Sequence, residues 1–241
     1  MIIIIIIFTA TFVQSTFGFG SALIMMPFLT ALTGIKTAVP LAALVATTIH
    51  ITILIHKWRE LDLRAAWRLI VASLAGIPLG AFILRLGNEV YLKCILGLII
   101  VIFSLYYLLK PALPLLKNEK YAYVFGFFAG ILGGAYNTNG PPVVIYGTMR
   151  RWNPRVFRTT MQGYFFPTGL LLLFSHYSVG LWTDTVWHNY LIAFPFVLAA
   201  VWAGARLNAK ISSGKFDKYI YIFLVLTGIS LAIHAVTQLI Y

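Results

Sequence analysis

The chain has 241 residues, of which 61% are hydrophobic and only 10% charged, whereas soluble domains carry roughly 25% charged residues. That balance excludes a water-soluble fold and predicts an all-α polytopic membrane protein, because transmembrane barrel strands would alternate in polarity and these apolar runs do not. The formal net charge of +12 is not a nucleic-acid footprint, since the bases sit in short joints beside apolar runs, where they set orientation and meet anionic headgroups.

In chain order, apolar segments run over residues 1–17, 19–34, 38–56, 66–84, 91–109, 121–135, 141–149, 157–176, 186–205 and 218–238. They amount to about eight to ten membrane segments and leave no separate soluble domain. The first, Met1 followed by six isoleucines, lacks the basic start and small-residue cleavage site of a signal peptide and reads as a retained span. The single cysteine, Cys94, rules out an internal disulfide and a multi-cysteine metal centre. If the joints around residues 57–68, 110–120, 150–158 and 206–218 face the cytoplasm, only Lys36, Arg85 and Lys93 of the 18 Lys and Arg residues lie outside. This orientation puts both termini outside, and the expected location is the plasma (inner) membrane.

The orientation also requires the joints at Lys117 and Arg150 to share a side. The apolar stretch between them, 121–149, makes at most about 44 Å of helix at ~1.5 Å per residue, too little for two crossings of a core about 30 Å thick. It should be a hairpin of two short helices turning near residues 137–142. An earlier stretch matches it: Gly18 and Pro27 align with Gly133 and Pro142 at an offset of 115, Trp67 with Trp187 at 120, and Gly76 and Gly80 with Ala200 and Gly204 at 124. The last pairs are small-xxx-small spacings that admit close helix approach. Two inverted-topology repeats are therefore expected, 1–110 (broken hairpin 1–34 plus three spans) and 111–241 (linker, broken hairpin 121–149 plus three spans), an architecture recurrent in secondary transporters.

A backbone that breaks at membrane depth must be satisfied by protein or by a polar cavity. Gly20, Ser21, Gly133, Gly134 and Gly140 are candidates to present helix-start N–H groups to an anion, or else serve helix packing. Gln14, Asn137, Thr138 and Asn139 offer uncharged side-chain donors at the breaks, with Thr47, Thr48 and Gln162 on the following spans; interhelical bonding is the competing role. Arg158 either attracts an anion or snorkels to the headgroups. His50, inside a span, is either a titratable group or a bonded structural residue, and His176, His188 and His234 read as interfacial. No Asp or Glu falls within a predicted span, so a buried carboxylate relay is not expected. No nucleophile–base pair, zinc motif or P-loop is present, so neither enzyme activity nor a cofactor or metal is expected.

Residues 17–27 (FGFGSALIMMP) and 130–142 (GILGGAYNTNGPP) look like paired Gly-rich motifs. With Ala46-Thr47-Thr48, Phe157-Arg158-Thr159-Thr160, the Gly76–Gly80 segment and Ala203-Gly204-Ala205-Arg206, the chain resembles the sulfite exporter TauE/SafE family of membrane permeases. The resemblance implies transport of a small anion, often sulfite, a sulfonate or another sulfur compound. Members are often drawn with eight spans in two four-span halves, whereas the charge count here favours an odd number of segments per half. Tyr136-Asn137-Thr138-Asn139 stands where the first repeat has Ser21-Ala22-Leu23-Ile24, so substrate identity does not carry across. The resulting expectation is a secondary permease using alternating access, with a small anion and the lipid bilayer as partners, no nucleic acid, and coupling ion and homo-oligomerisation left open. A non-transporting membrane assembly protein and an anion channel are the competing readings.

Overall fold

The computed structural model describes residues 1–17, 20–57, 63–109, 113–208 and 215–240. Among them are ten helices: α1 (Ile2–Phe17), α2 (Ser21–Thr33), α3 (Ile35–Lys57), α4 (Leu63–Leu86), α5 (Glu89–Leu109), α6 (Tyr121–Tyr136), α7 (Gly140–Met149), α8 (Pro154–Ser178), α9 (Asp184–Asn208) and α10 (Lys215–Ile240). Each apolar segment read from the sequence became one helix. α3, α4, α5 and α9 are long and apolar enough to cross a membrane. The 16 residues of α6 and 10 of α7 give rods of only about 24 and 15 Å, so neither reaches across a core of about 30 Å. α1 and α2, at 16 and 13 residues, form a second short pair.

The tightest packing joins α4 to α6. Gly76 and Gly80 on one helix face Gly130 and Gly134 on the other, and Gly126 lies on the Leu69 backbone. A Cβ on Gly76 would overlap the Phe127 carbonyl oxygen, and one on Gly134 would overlap that of Ile77. Small residues every fourth position thus bring backbone against backbone, the main source of helix association where lipid is as apolar as leucine. Ser73 reinforces the seam: its Oγ lies 2.9 Å from the Leu69 carbonyl, 2.8 Å from the Gly126 carbonyl and 2.9 Å from Tyr164 Oη. Since carbonyls only accept, the tyrosine donates to the serine and the serine proton goes to α4 and α6.

α1 packs on α9, α5 on α10, and α3 sits at the centre against α2, α8 and α9. α4, α5 and α9 turn large apolar side chains outward, among them Leu74, Phe82, Leu98, Ile102, Leu191 and Trp202. Such a surface would aggregate in water and is ordinary against acyl chains.

The two ends of the bundle differ. At one, residues 113–120 run without helix and are tied down by Arg150, whose Nη1 donates to the Leu116 and Lys117 carbonyls at 2.8 and 2.7 Å. Arg150 and Arg68 both pair with Glu119, at 3.2 and 2.5 Å. The joints carrying Lys117, Arg150 and Arg68 therefore share one side, as the charge pattern required. At the other end Tyr177, Trp182, Trp187 and Tyr190 stack edge to face in series, as aromatic residues do at a membrane–water interface.

Gly80→Ala should lower the thermal midpoint of the detergent-solubilised protein by the equivalent of about 1–3 kcal/mol or more, because the new methyl meets the Ile131 carbonyl. Gly140→Ala, where the nearest atom is Phe165 Cζ at 3.6 Å, should change it little.

Candidate functional site

The two helix breaks end differently. Gly20, before α2, has φ 102°, a left-handed value that glycine adopts without strain. Nothing lies within 4 Å of where its Cβ would be. α2 starts abruptly behind it, and Gln14 Oε1 accepts a hydrogen bond from Ser21 N–H at 3.2 Å, settling one of the first-turn donors that a helix cannot bond internally. α6 stops at Tyr136 because Asn137 turns left-handed at φ 53°. The N–H groups of Asn137 and Thr138 bond back to the Gly133 and Leu132 carbonyls at 2.7 and 3.2 Å; asparagine is the usual substitute for glycine in such a cap. α7 begins at Gly140 with Pro141 and Pro142 in its first turn, pre-set for helix but lacking N–H groups. The first break thus offers backbone donors, and the second depends on its asparagines.

The breaks meet at a cavity of about 50 Å³. One water needs roughly 10–15 Å³ by the same measure, so the space takes a solute with the bulk of a few waters. Gln14, Gly20 and Ser21 line it from the first break, and Asn137, Thr138, Asn139 and Gly140 from the second. Thr47 and His50 of α3, and Phe165, Gly169 and Leu172 of α8, close the sides. Asn137 is 5% exposed, and its Nδ2 is a buried donor with no partner among the described residues. Asn139 Nδ2 donates to Thr168 Oγ1 at a long 3.4 Å, and Thr168 in turn donates to the Tyr164 carbonyl at 2.7 Å. No Asp, Glu, Lys or Arg is among the described wall residues. What the described residues turn to the space is neutral amides and hydroxyls, the ring of His50 and the positive ends of two helices.

Of the residues singled out from the sequence, Gln14, Gly20, Ser21, Thr47, Asn137, Thr138, Asn139 and Gly140 come together here. Gly133 and Gly134 do not: they stay within the last turn of α6, with Gly134 against α4 and Gly133 against Asn139 and Leu172. Their N–H groups precede the helix end rather than follow it, which the sequence spacing could not reveal. Thr48 bonds Tyr190 Oη at 2.7 Å and the Leu44 carbonyl, joining α3 to α9. Gln162 stands behind the wall, with Oε1 3.4 Å from His50 Nδ1. The side chain of Arg158 lies outside the described residues, as do Gly18 and Phe19 and the side chain of His234. Phe103, Phe165 and Gly169 line the cavity without any sequence signal, since apolar and small residues in a span look alike whether they face lipid, protein or a pocket.

His176 corrects its interfacial reading. It is 0% exposed, and its Nε2 lies 2.8 Å from the Gly134 carbonyl, so Nε2 carries the proton and donates. The cause is the left-handed cap: Thr138, the regular partner of that carbonyl four residues on, gives its N–H to Leu132 instead, and the imidazole of α8 fills the vacancy.

The family profile described as Sulfite exporter TauE/SafE matches residues 3–231, spanning both breaks. The chain belongs to the sulfite exporter TauE/SafE family. A curated relative, the probable sulfite/organosulfonate exporter TauE of Cupriavidus necator, is 25% identical, with 94% of this chain and 91% of the relative covered. No solved structure matches the chain. Membership in the TauE/SafE family, with its apolar helices, makes this an integral membrane transport protein.

Because His176 satisfies a buried carbonyl, His176→Phe should destabilise the protein by about 1–3 kcal/mol, read as a lower thermal midpoint. His188→Phe, at an exposed position, should leave the midpoint within the equivalent of about 0.5 kcal/mol.

Proposed function

We propose that this chain is a secondary permease that exports a small sulfur oxyanion, sulfite or an organosulfonate, by alternating access of two inverted repeats about the cavity. The observation that carries this reading is that both breaks line one cavity whose described walls hold neutral polar groups and no fixed charge, with a buried Asn137 Nδ2 that has no described partner. An oxyanion entering a low-dielectric site loses its hydration and needs donors in return. Neutral donors hold it without the fixed charge that would keep it there. A relative described as a sulfite/organosulfonate exporter supports the substrate class.

The helix contacts fit two repeats, α1–α5 and α6–α10. α4 packs on α6 as α9 packs on α1, and α8 packs on α4 as α3 packs on α9, while α3–α8 and α5–α10 join equivalent helices. Each broken hairpin is thereby gripped by the fourth helix of the other half. Rocking one half against the other would expose the same cavity to either side, as in transporters built from inverted repeats. The Arg68, Arg150 and Glu119 cluster, on the side assigned to the cytoplasm, ties the linker between the halves to α4 and α7.

Purified protein in proteoliposomes should move radiolabelled sulfite or an organosulfonate with saturation. No protein-dependent flux of any small sulfur anion would sink the proposal, and flux that never saturates would replace a permease with a channel. Asn137→Gly separates fold from site, because glycine keeps the left-handed cap and removes only the amide. A hydrogen bond to a charged partner contributes about 1.5–3 kcal/mol, so KM should rise about tenfold or more at unchanged expression and thermal midpoint.

A further inference from the structure

Among the described wall residues, one side chain can carry a full charge. His50 lines the space and is 6% exposed. Its ring stacks on Phe165, with centroids 5.0 Å apart and planes 22° from parallel, and its Nδ1 lies 3.4 Å from Gln162 Oε1. An amide oxygen only accepts, so Nδ1 holds the proton and the neutral imidazole keeps its lone pair on Nε2. No described residue bonds Nε2. The ring is therefore fixed in plane by Phe165 and in tautomer by Gln162, with the remaining nitrogen left for a solute.

We infer that His50 is the charge-bearing contact of the transported anion. The imidazolium, with Nε2–H donating to an oxygen of the anion, is the binding state, and the neutral imidazole is the releasing state. This rests on the transport reading above. The other described wall groups, helix ends and amides, supply only partial charges, so among them a bound anion finds no full counter-charge until His50 takes up a proton. A buried imidazolium alone is equally uncompensated. Anion and proton each remove the other's penalty, and by linkage each strengthens the other's binding by the same factor. The face of Phe165 adds a favourable cation–π contact in the charged state.

The titratable groups on the elements packed about α3 leave His50 this role. From α8 comes Tyr164, which donates to Ser73; from α9 comes Tyr190, paired with Thr48; from α5 come Tyr106 and Tyr107, stacked about Phe103. α1 and α2 contribute the neutral Gln14 and Ser21. Among the described residues the carboxylates lie elsewhere: Glu89 beside Lys93, Glu119 beside Arg68 and Arg150, and Asp184 in the first turn of α9. No described carboxylate is placed to neutralise the imidazolium in the anion's stead.

Methanesulfonate stays ionised throughout the useful range, so any effect of pH on its transport reports the protein. Initial rates would be measured in proteoliposomes with equal pH on both sides, from about pH 5.5 to about 8, spanning the ordinary titration of histidine. In the wild type, KM should rise with pH, approaching about tenfold per unit on the alkaline side, with kcat changing less. His50→Gln should show a raised KM that is flat with pH. Gln162→Leu, which removes the acceptor of Nδ1, should displace the midpoint while keeping the slope. A flat wild-type profile overturns the assignment without any variant, and so does a wild-type slope retained in His50→Gln or a midpoint unmoved in Gln162→Leu. Wild-type protein that moves neither methanesulfonate nor sulfite would sink the transport reading instead.

Discussion

A helix that stops inside a bilayer has to find partners for the N–H and C=O groups it sets free, because no water is there to take them. This chain meets that demand twice with different chemistry. At the first break a side-chain amide, Gln14, takes the leading N–H of α2. At the second, a left-handed asparagine folds the chain back on α6, and the carbonyl this leaves behind is taken by His176 from α8. Two prolines then open α7 without adding N–H groups of their own. After these pairings Asn137 Nδ2 is still a buried donor without a described partner, and it borders the cavity. The site is what remains once the breaks have been made tolerable.

Holding two breaks in register needs a rigid frame, and the α4–α6 seam supplies one side of it. Gly126, Gly130 and Gly134 recur every four residues along α6, so one face of the helix lies on α4 from end to end. Gly134 belongs at once to the seam and to the turn that His176 completes. Close packing therefore sets where α6 ends, and hence where Asn137 points. Tyr164 extends the frame: its hydroxyl bonds Ser73 in the seam, and its carbonyl receives Thr168, the partner of Asn139. A change in the glycine contacts would thus reach the cavity wall through this chain of hydrogen bonds.

The charges are arranged with equal economy. Described carboxylates occupy helix starts or the linker, where lysines or arginines meet most of them, and the described cavity wall holds uncharged donors and one imidazole. In a low-dielectric space a fixed guanidinium would bind an anion strongly and oppose its release, whereas amides, helix ends and a titratable ring give an attraction that can be relaxed. Membership in the TauE/SafE family comes from the whole sequence, and the proposed anion site rests separately on a handful of groups in the described wall.

The membrane class, about eight to ten apolar segments and the two points of interruption were legible in the sequence, because these follow from local quantities: apolar run length, the placing of glycine and proline, and the distribution of lysine and arginine. The sequence also marked Gln14, Ser21, Asn137 and Asn139, since polar residues beside a break have few other reasons to be there. Only the tertiary structure decided which of the marked residues share a space. Gly133 and Gly134 resembled Gly20 in their spacing, yet they face helices and Gly20 faces the cavity, because helix packing fixes which way a backbone turns. His176 and His188 both sat near predicted span ends, and the fold buried one against a carbonyl and left the other exposed. Phe165 and Gly169 became walls through the approach of α8 to α3. Burial and contact between residues far apart in the chain are properties of the packed bundle, and no window of sequence contains them.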